Sequence, residues 1–90
     1  MIKSFADSRT KEVFGTGKTQ NPPAAVTKRK FALLDSATSL GDLAATPGNN
    51  FEKYNDHRKG QYSIRINQQY RLFFEWVDGN AFNVRLDDDH

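Results

Sequence analysis

The stretch Gln61-Tyr62-Ser63-Ile64-Arg65-Ile66-Asn67-Gln68-Gln69-Tyr70-Arg71-Leu72-Phe73-Phe74-Glu75-Trp76 decides the fold. Tyr62, Ile64 and Ile66 alternate with Ser63, Arg65 and Asn67, and Tyr70, Leu72, Phe74 and Trp76 alternate with Arg71, Phe73 and Glu75. Successive side chains of a strand point to opposite faces, so a period of two marks strands buried on one side. Gln68-Gln69 leaves room for one tight connection. Beyond it Phe82, Val84 and Leu86 alternate with Asn83, Arg85 and Asp87, and Asp78-Gly79 joins this run to the one before. Asp-Gly suits a type I′ hairpin, whose central residues both need positive φ. The expectation is an antiparallel meander whose polar face presents Arg65 and Arg71, one on each strand of a hairpin.

Upstream the period changes. Residues 1–5 read as a short strand with Ile2 and Phe5 apolar. Asp7 or Ser8 can cap a short helix to about Phe14, with Gly15 as its stop. Residues 15–23 are loop by composition, and Asn21-Pro22 is expected to cap a second helix and supply its first turn, reaching about Thr38. Val26, Leu33, Leu34 and Ala37 share one face of that helix, with Phe31 at its edge. Lys30 falls inside this apolar arc, either as a snorkelling stem or as a cation aimed at a ligand. A short turn around Leu40–Leu43, then Pro47-Gly48-Asn49-Asn50 and polar residues to Gly60, complete the chain. The class is α+β, with two N-terminal helices packed on the Tyr62/Ile64/Trp76 face of a mainly antiparallel, twisted sheet. Residues 1–90 form a single domain.

The chain has no cysteine and carries a formal charge of +2. Disulfides and thiolate metal sites are excluded. The start, Met1-Ile2-Lys3-Ser4-Phe5, lacks the apolar run of a secretory signal, and nothing approaches the ~20 apolar residues of a membrane span. A cytoplasmic protein without membrane contact is expected. The cations are unevenly spread, with Lys28, Arg29 and Lys30 together and Lys53, Arg58, Lys59, Arg65 and Arg71 in one region, which suits a polyanion partner.

Several motifs fail on their context. Gly15-Thr16-Gly17-Lys18-Thr19 resembles the end of a phosphate-binding loop, but Glu12 stands where the first glycine is required and Pro22-Pro23 follow. Of the two histidines, His57 and His90, neither belongs to a ligand pair at helical spacing. Asp87, Asp88, Asp89 and His90 read as a solvated tail, so no metal or cofactor is expected. No nucleophile elbow occurs. What remains is an inventory suited to RNA cleavage, in which the ribose 2′-OH attacks the adjacent phosphorus. Such a reaction needs a base, cations for the phosphorane charge and an acid for the departing 5′-oxygen. His, Asp, Arg and Lys supply these roles.

Gly60-Gln61-Tyr62-Ser63-Ile64-Arg65-Ile66-Asn67-Gln68-Gln69-Tyr70-Arg71-Leu72 resembles the core of the HigB toxins in the RelE/ParE superfamily. There an Arg-x-Gly-aromatic-Ser-Ile/Val run leads to Asn-x-x-Trp-Arg-Ile. Met1–Phe5, the segment from Ala32 to Leu43 and the final Asp88-Asp89-His90 agree in order and spacing. Pro47-Gly48-Asn49-Asn50-Phe51-Glu52-Lys53 is most similar to the GraT-like subgroup. The resemblance implies the RelE-like fold and a type II toxin that cuts mRNA in the ribosomal A site without cofactor. It implies inhibition by a HigA-type helix-turn-helix antitoxin, with operator DNA reached only through that antitoxin. Carried across, Arg71 matches a phosphate-contacting arginine, Arg58 the arginine before the glycine-aromatic run, and Asp88 and His90 the ends of a terminal Asp-Tyr-His. These are the expected catalytic residues, with His90 and Asp88 transferring protons, and Lys53, Lys59, Arg65 and His57 are expected RNA contacts.

Asp89 replaces the family tyrosine, losing an aromatic for base stacking and adding negative charge. Asn55 replaces a common lysine. These departures keep a second reading open, a catalytically weakened module that binds antitoxin and operator DNA. A ParE-like gyrase poison shares the fold but does not end in this Asp-x-His pattern.

Overall fold

The alternating runs become strands. The computed structural model, which describes residues 1–88, contains β1 (Glu52–Lys53), β2 (Tyr62–Arg65), β3 (Tyr70–Val77) and β4 (Asn80–Asp88), hydrogen-bonded in that order. All neighbouring pairs are antiparallel. Asp78 (φ 52°) and Gly79 (φ 78°) take the left-handed conformations that a type I′ hairpin requires. The connection between β2 and β3 is organised by Asn67, whose Oδ1 accepts the N–H groups of Gln69 (2.9 Å) and Tyr70 (2.8 Å). A side chain thus mimics the turn's own carbonyl. β1 had no signature in the sequence, because a two-residue strand is too short to show a period.

Residues 1–6 run parallel to β4 along its outer edge, with bridges Ile2↔Ala81 and Phe5↔Val84. Lys3 N–H donates to the Ala81 carbonyl (2.8 Å) and Val84 N–H to that of Ser4 (3.1 Å). Further along, the buried Thr10 hydroxyl accepts Leu86 N–H at 3.0 Å. An open strand edge is a template for unwanted pairing, and here it is covered from Ala81 to Leu86. One alternation is broken. The register shifts between Phe73 and Glu75, and Asn83 has φ 52°. This bulge turns Phe82 to the polar face opposite Glu75 and makes Ala81 the inward residue, contrary to the simple reading.

α1 (Ser8–Thr16) is capped by Asp7, whose side chain accepts Thr10 N–H at 2.7 Å. It runs through Gly15 and stops at Gly17, where φ of 70° lets the N–H turn back to the Val13 carbonyl. Only the second glycine adopts the left-handed geometry that ends a helix. α2 (Ala24–Ser36) begins after Pro23 rather than at Asn21. A residue preceding proline is pushed out of the helical region, and Asn21 and Pro22 both precede one. The turn expected near Leu40 is a short helix, α3 (Leu40–Ala45), capped by Ser39. The helices cover the expected face: Val13, Phe31, Leu34 and Leu43 pack with Ile64, Leu72, Phe74, Val84 and Leu86 in one cluster.

The buried stripe of α2 is Thr27, Lys30, Phe31 and Leu34, so Phe31 is central and Lys30 turns into the interior instead of snorkelling. Its ammonium donates to Asn49 Oδ1 at 2.6 Å and to the Gly48 carbonyl at 3.3 Å. Asn49 is itself buried and donates through Nδ2 to the Leu43 carbonyl at 3.1 Å. Burial, and secondarily the charge of Arg29, hold the Lys30 pKa below the usual lysine value. Lys30→Met keeps the stem but leaves buried acceptors without their donor, a loss of about 1–3 kcal/mol. Urea unfolding should show that loss, whereas the exposed neighbour Arg29→Met should stay within about 0.5 kcal/mol.

Candidate functional site

The sheet face turned away from the helices carries the polar half of each alternation: Ser63 and Arg65 on β2, Arg71 and Phe73 on β3, Arg85 and Asp87 on β4. Directly opposed residues share a face, and the register sets Ser63 against Phe73, Phe73 against Arg85, and Arg71 against Asp87. The loop from Tyr54 to Gln61 folds onto this face. Its neck is closed by Tyr54 N–H donating to the Gln61 carbonyl (3.1 Å), and inside it Lys59 N–H meets the Asp56 carbonyl (3.0 Å) and Gln61 N–H that of Arg58 (2.9 Å). Between loop and strands lies an open cleft of about 380 Å³ lined by His57, Arg58, Gln61, Phe73, Arg85, Asp87 and Asp88.

The floor is aromatic. Phe73 is almost wholly buried, with the Tyr54 ring centroid 5.9 Å from its own. The Arg58 guanidinium lies 3.9 Å over Tyr54 and the Arg85 guanidinium 5.0 Å over Phe73. An arginine over a ring face is attracted by the ring's quadrupole, which fixes an otherwise flexible side chain. Each guanidinium also has a carboxylate at its edge. Arg58 Nη2 is 3.3 Å from Asp56 Oδ2, and Arg85 Nε is 3.4 Å from Asp87 Oδ2. Asp56 Oδ1 accepts Arg58 N–H at 2.9 Å. That backbone bond and the guanidinium hold the Asp56 carboxyl below the usual carboxylate range. The Tyr54 phenol is pushed up, chiefly by burial, and shares a 2.8 Å hydrogen bond with the Ser63 hydroxyl.

The structure brings His57, Arg58 and Asp88 of the expected residues to this cleft. His57 is exposed at the rim, with Nδ1 3.8 Å from Asp56 Oδ2. Asp88 Oδ2 accepts from Gln69 Nε2 at 3.3 Å. Arg71 lies beneath the face, 3 % exposed, where its Nε donates to Ser63 Oγ at 2.7 Å and Nη2 to the Asn50 carbonyl. Its Nη1 is 3.8 Å from Glu52 Oε1. Arg65 is half-buried and donates through Nε to the Asn67 carbonyl at 3.1 Å. Lys53 pairs with Tyr62 and so belongs to the helix side, and Lys59 is exposed on the loop away from the lining. His90, with Asp89, falls outside the described residues.

Sequence reasoning missed Tyr54, Gln61, Phe73, Arg85 and Asp87. Arg85 and Asp87 had a usable signal, since their parity in the third run is opposite to that of Val84 and Leu86. Phe73 had a fainter one, an aromatic at a polar-face position. Tyr54 and Gln61 sit at the neck of an irregular loop, where no period applies.

A family model described as a RelE-like toxin of the type II toxin–antitoxin system HigB matches residues 3–90. The chain is similar to Toxin HigB-1 of Vibrio cholerae serotype O1, 52% identical over 59 residues that cover 66% of this chain and 62% of that toxin. It is also similar to Endoribonuclease HigB of Proteus vulgaris, 31% identical over 98 residues and covering both chains entirely. Among solved structures, the YoeB-YefM complex from Staphylococcus aureus aligns with TM-score 0.65 and 16% identity over 100% of this chain and 98% of that one. YafQ from E. coli aligns with TM-score 0.64 and 14% identity over 99% and 94%. At these identities the structural likeness shows the fold alone.

Two measurements check the geometry. Arg71→Met should lower stability by about 1–3 kcal/mol in urea unfolding, because the Asn50 carbonyl and Ser63 lose their donor, while Arg85→Gln should cost less than about 0.5 kcal/mol. In an NMR titration the Asp56 carboxyl should titrate below about 3.9 and return toward that value in Arg58→Gln. The contribution of this contact is complete at neutral pH and is lost only as the pH falls through that lowered value.

Proposed function

The chain belongs to the HigB-like toxin family, the RelE-like toxins of type II toxin–antitoxin systems, and from that premise we propose that it is a ribosome-dependent endoribonuclease that cuts mRNA in the A site. The observation that carries the reading is a family match over nearly the whole chain combined with the cleft that gathers Arg58, His57 and Asp88. Similarity to an endoribonuclease along its entire length supports the same reaction class.

The chemistry follows from the substrate. The 2′-hydroxyl is an internal nucleophile, so proton transfer and charge stabilisation suffice and no metal is required. Asp88 sits at the cleft and His90 follows it by two positions in sequence. We assign this pair to the proton transfers, with the acid–base order open to either arrangement. Arg58, fixed over Tyr54, offers its charge to the phosphorane oxygens, and pre-placed charge of this kind costs no reorganisation as the reaction proceeds. Arg71 acts from below by holding Asn50 and Ser63, which support the floor. His57 at the rim and Lys59 and Arg65 outside the lining are assigned to the RNA backbone, and Lys53 to contacts on the sheet's other side. The partner is a HigA-type helix-turn-helix antitoxin, with operator DNA bound through it. The site of action is the cytoplasm, and no helix among the described residues is long and apolar enough to cross a membrane.

A second reading has a specific observation behind it. Asp56 and Asp87 lie against the two cleft arginines, and Asp88 joins Asp87 as a second carboxylate in the lining. Such a cleft attracts phosphate less than its arginines alone would, which favours a weakened toxin.

Translating ribosomes incubated with the protein, with the message mapped by primer extension, separate the two. The nuclease reading expects cuts within A-site codons that fall about 10²–10⁴-fold in rate for His90→Ala or Asp88→Asn. It expects a fall of about 10²–10³-fold for Arg58→Ala. Intact message with wild-type protein, alongside tight antitoxin binding, would select the weakened module.

A further inference from the structure

We propose that Arg85 is a nucleobase shelf: its guanidinium, lying over Phe73 with the Asp87 carboxylate beside it, stacks against a base of single-stranded RNA entering the cleft. The inference rests on the endoribonuclease reading and adds a specificity-determining residue to it.

Geometry separates this role from phosphate binding. A guanidinium grips phosphate or carboxylate with the N–H donors in its plane, usually two at a time. In Arg85 one edge of that plane is already directed at Asp87, with Nε 3.4 Å from Oδ2. The carboxylate offsets the positive charge that would otherwise draw a phosphate. One face lies over the Phe73 ring at 5.0 Å. The side chain is nonetheless 36% exposed and lines the cleft. A guanidinium seated on a ring offers solvent its opposite face, which is flat and weakly hydrated. Flat faces of this kind, on arginine as on aromatic side chains, are where unstacked bases of single-stranded RNA are received. Asp87 in this arrangement places a negative charge beside the plane and lowers its competition for phosphate.

Swapping charge against planarity tests the assignment. Ribosomes are programmed with a message carrying 2-aminopurine in the A-site codon, and both cleavage and fluorescence quenching are followed for wild type, Arg85→Lys, Arg85→Tyr and Phe73→Leu. Arg85→Lys keeps the charge and loses the plane, so cleavage should fall about 5–100-fold, the range of one lost base stack, and quenching should disappear. Arg85→Tyr restores a plane without charge and should lose several-fold less than Arg85→Lys. Phe73→Leu leaves every charge in place but removes the seat, and should shift both readouts in the direction of Arg85→Lys. Melting curves for each variant separate these effects from unfolding. The reverse ranking, with Arg85→Lys near wild type and Arg85→Tyr lowest, would assign the residue to phosphate and overturn the shelf. If wild type leaves the message uncut, the nuclease reading fails. Quenching by wild type that exceeds Arg85→Lys would then still support the shelf, and equal or absent quenching would remove it.

Discussion

A single ammonium group ties the helix layer to the working face of the sheet. Lys30 points from α2 into the interior and donates to Asn49, whose own carbonyl accepts Arg65 N–H at 2.6 Å. The next residue, Asn50, offers its carbonyl to Arg71, which donates in turn to Ser63, and Ser63 meets the Tyr54 hydroxyl. This polar line passes around the edge of β2 from the helices to the cleft floor. Charges and amides are costly to bury unless satisfied, so a chain of this kind fixes its members in one arrangement. The Pro47–Asn50 turn has no regular structure of its own to hold it. Its position is set by Lys30 and by the bond from Asn49 Nδ2 to the Leu43 carbonyl at the end of the α3 turn.

The cleft depends on this line because its floor is built from the line's last members. Tyr54 is held through Ser63, and Arg58 rests on Tyr54. Phe73 and Arg85 enter from the other side, matched by the β3–β4 register just before the bulge. A slip of one residue in β4 would send Arg85 into the core and Leu86 into the cleft. The parallel pairing of residues 1–6 along β4, with Thr10 accepting Leu86 N–H, guards against that slip. The core on one face and the chemistry on the other are thus two readings of one register.

Much of this was legible in the sequence. The strands followed from alternation because one sheet face is apolar and the other polar, and the hairpin at Asp78-Gly79 followed from its φ demands. The placement of α1 and α2 was legible too, though not their ends: Gly15 and Gly17 are equivalent as letters, and only the chain's path decides which one turns left-handed. Arg58, His57 and Asp88 could be nominated from residue chemistry and a family likeness. The burial of Arg71 could not, because it requires Asn50 and Glu52 to come across from a segment with no period. Likewise Phe73 and Arg85 become neighbours only through a register that the bulge at Asn83 modifies.

The distribution of charge changes how polyanion recognition must work here. Lys53, Arg58, Lys59, Arg65 and Arg71 looked in sequence like one basic patch, but the fold disperses them. Arg71 is buried, Arg65 is occupied with the Asn67 carbonyl, and Lys53 faces the helix side. Residues 1–51 hold seven Lys and Arg against four Asp and Glu, whereas residues 52–90 hold six against seven. The positive excess therefore belongs to the segment that builds the helices, and the cleft face is close to balanced. A balanced cleft draws no phosphate backbone by field alone, since a large uncompensated charge is what raises the local concentration of a polyanion. What the cleft offers instead is shape, with the guanidinium groups of Arg58 and Arg85 over Tyr54 and Phe73. On the proposed reading, in which the message is already held by a ribosome, the cleft has no need to capture RNA from solution, and a near-neutral face suffices for it.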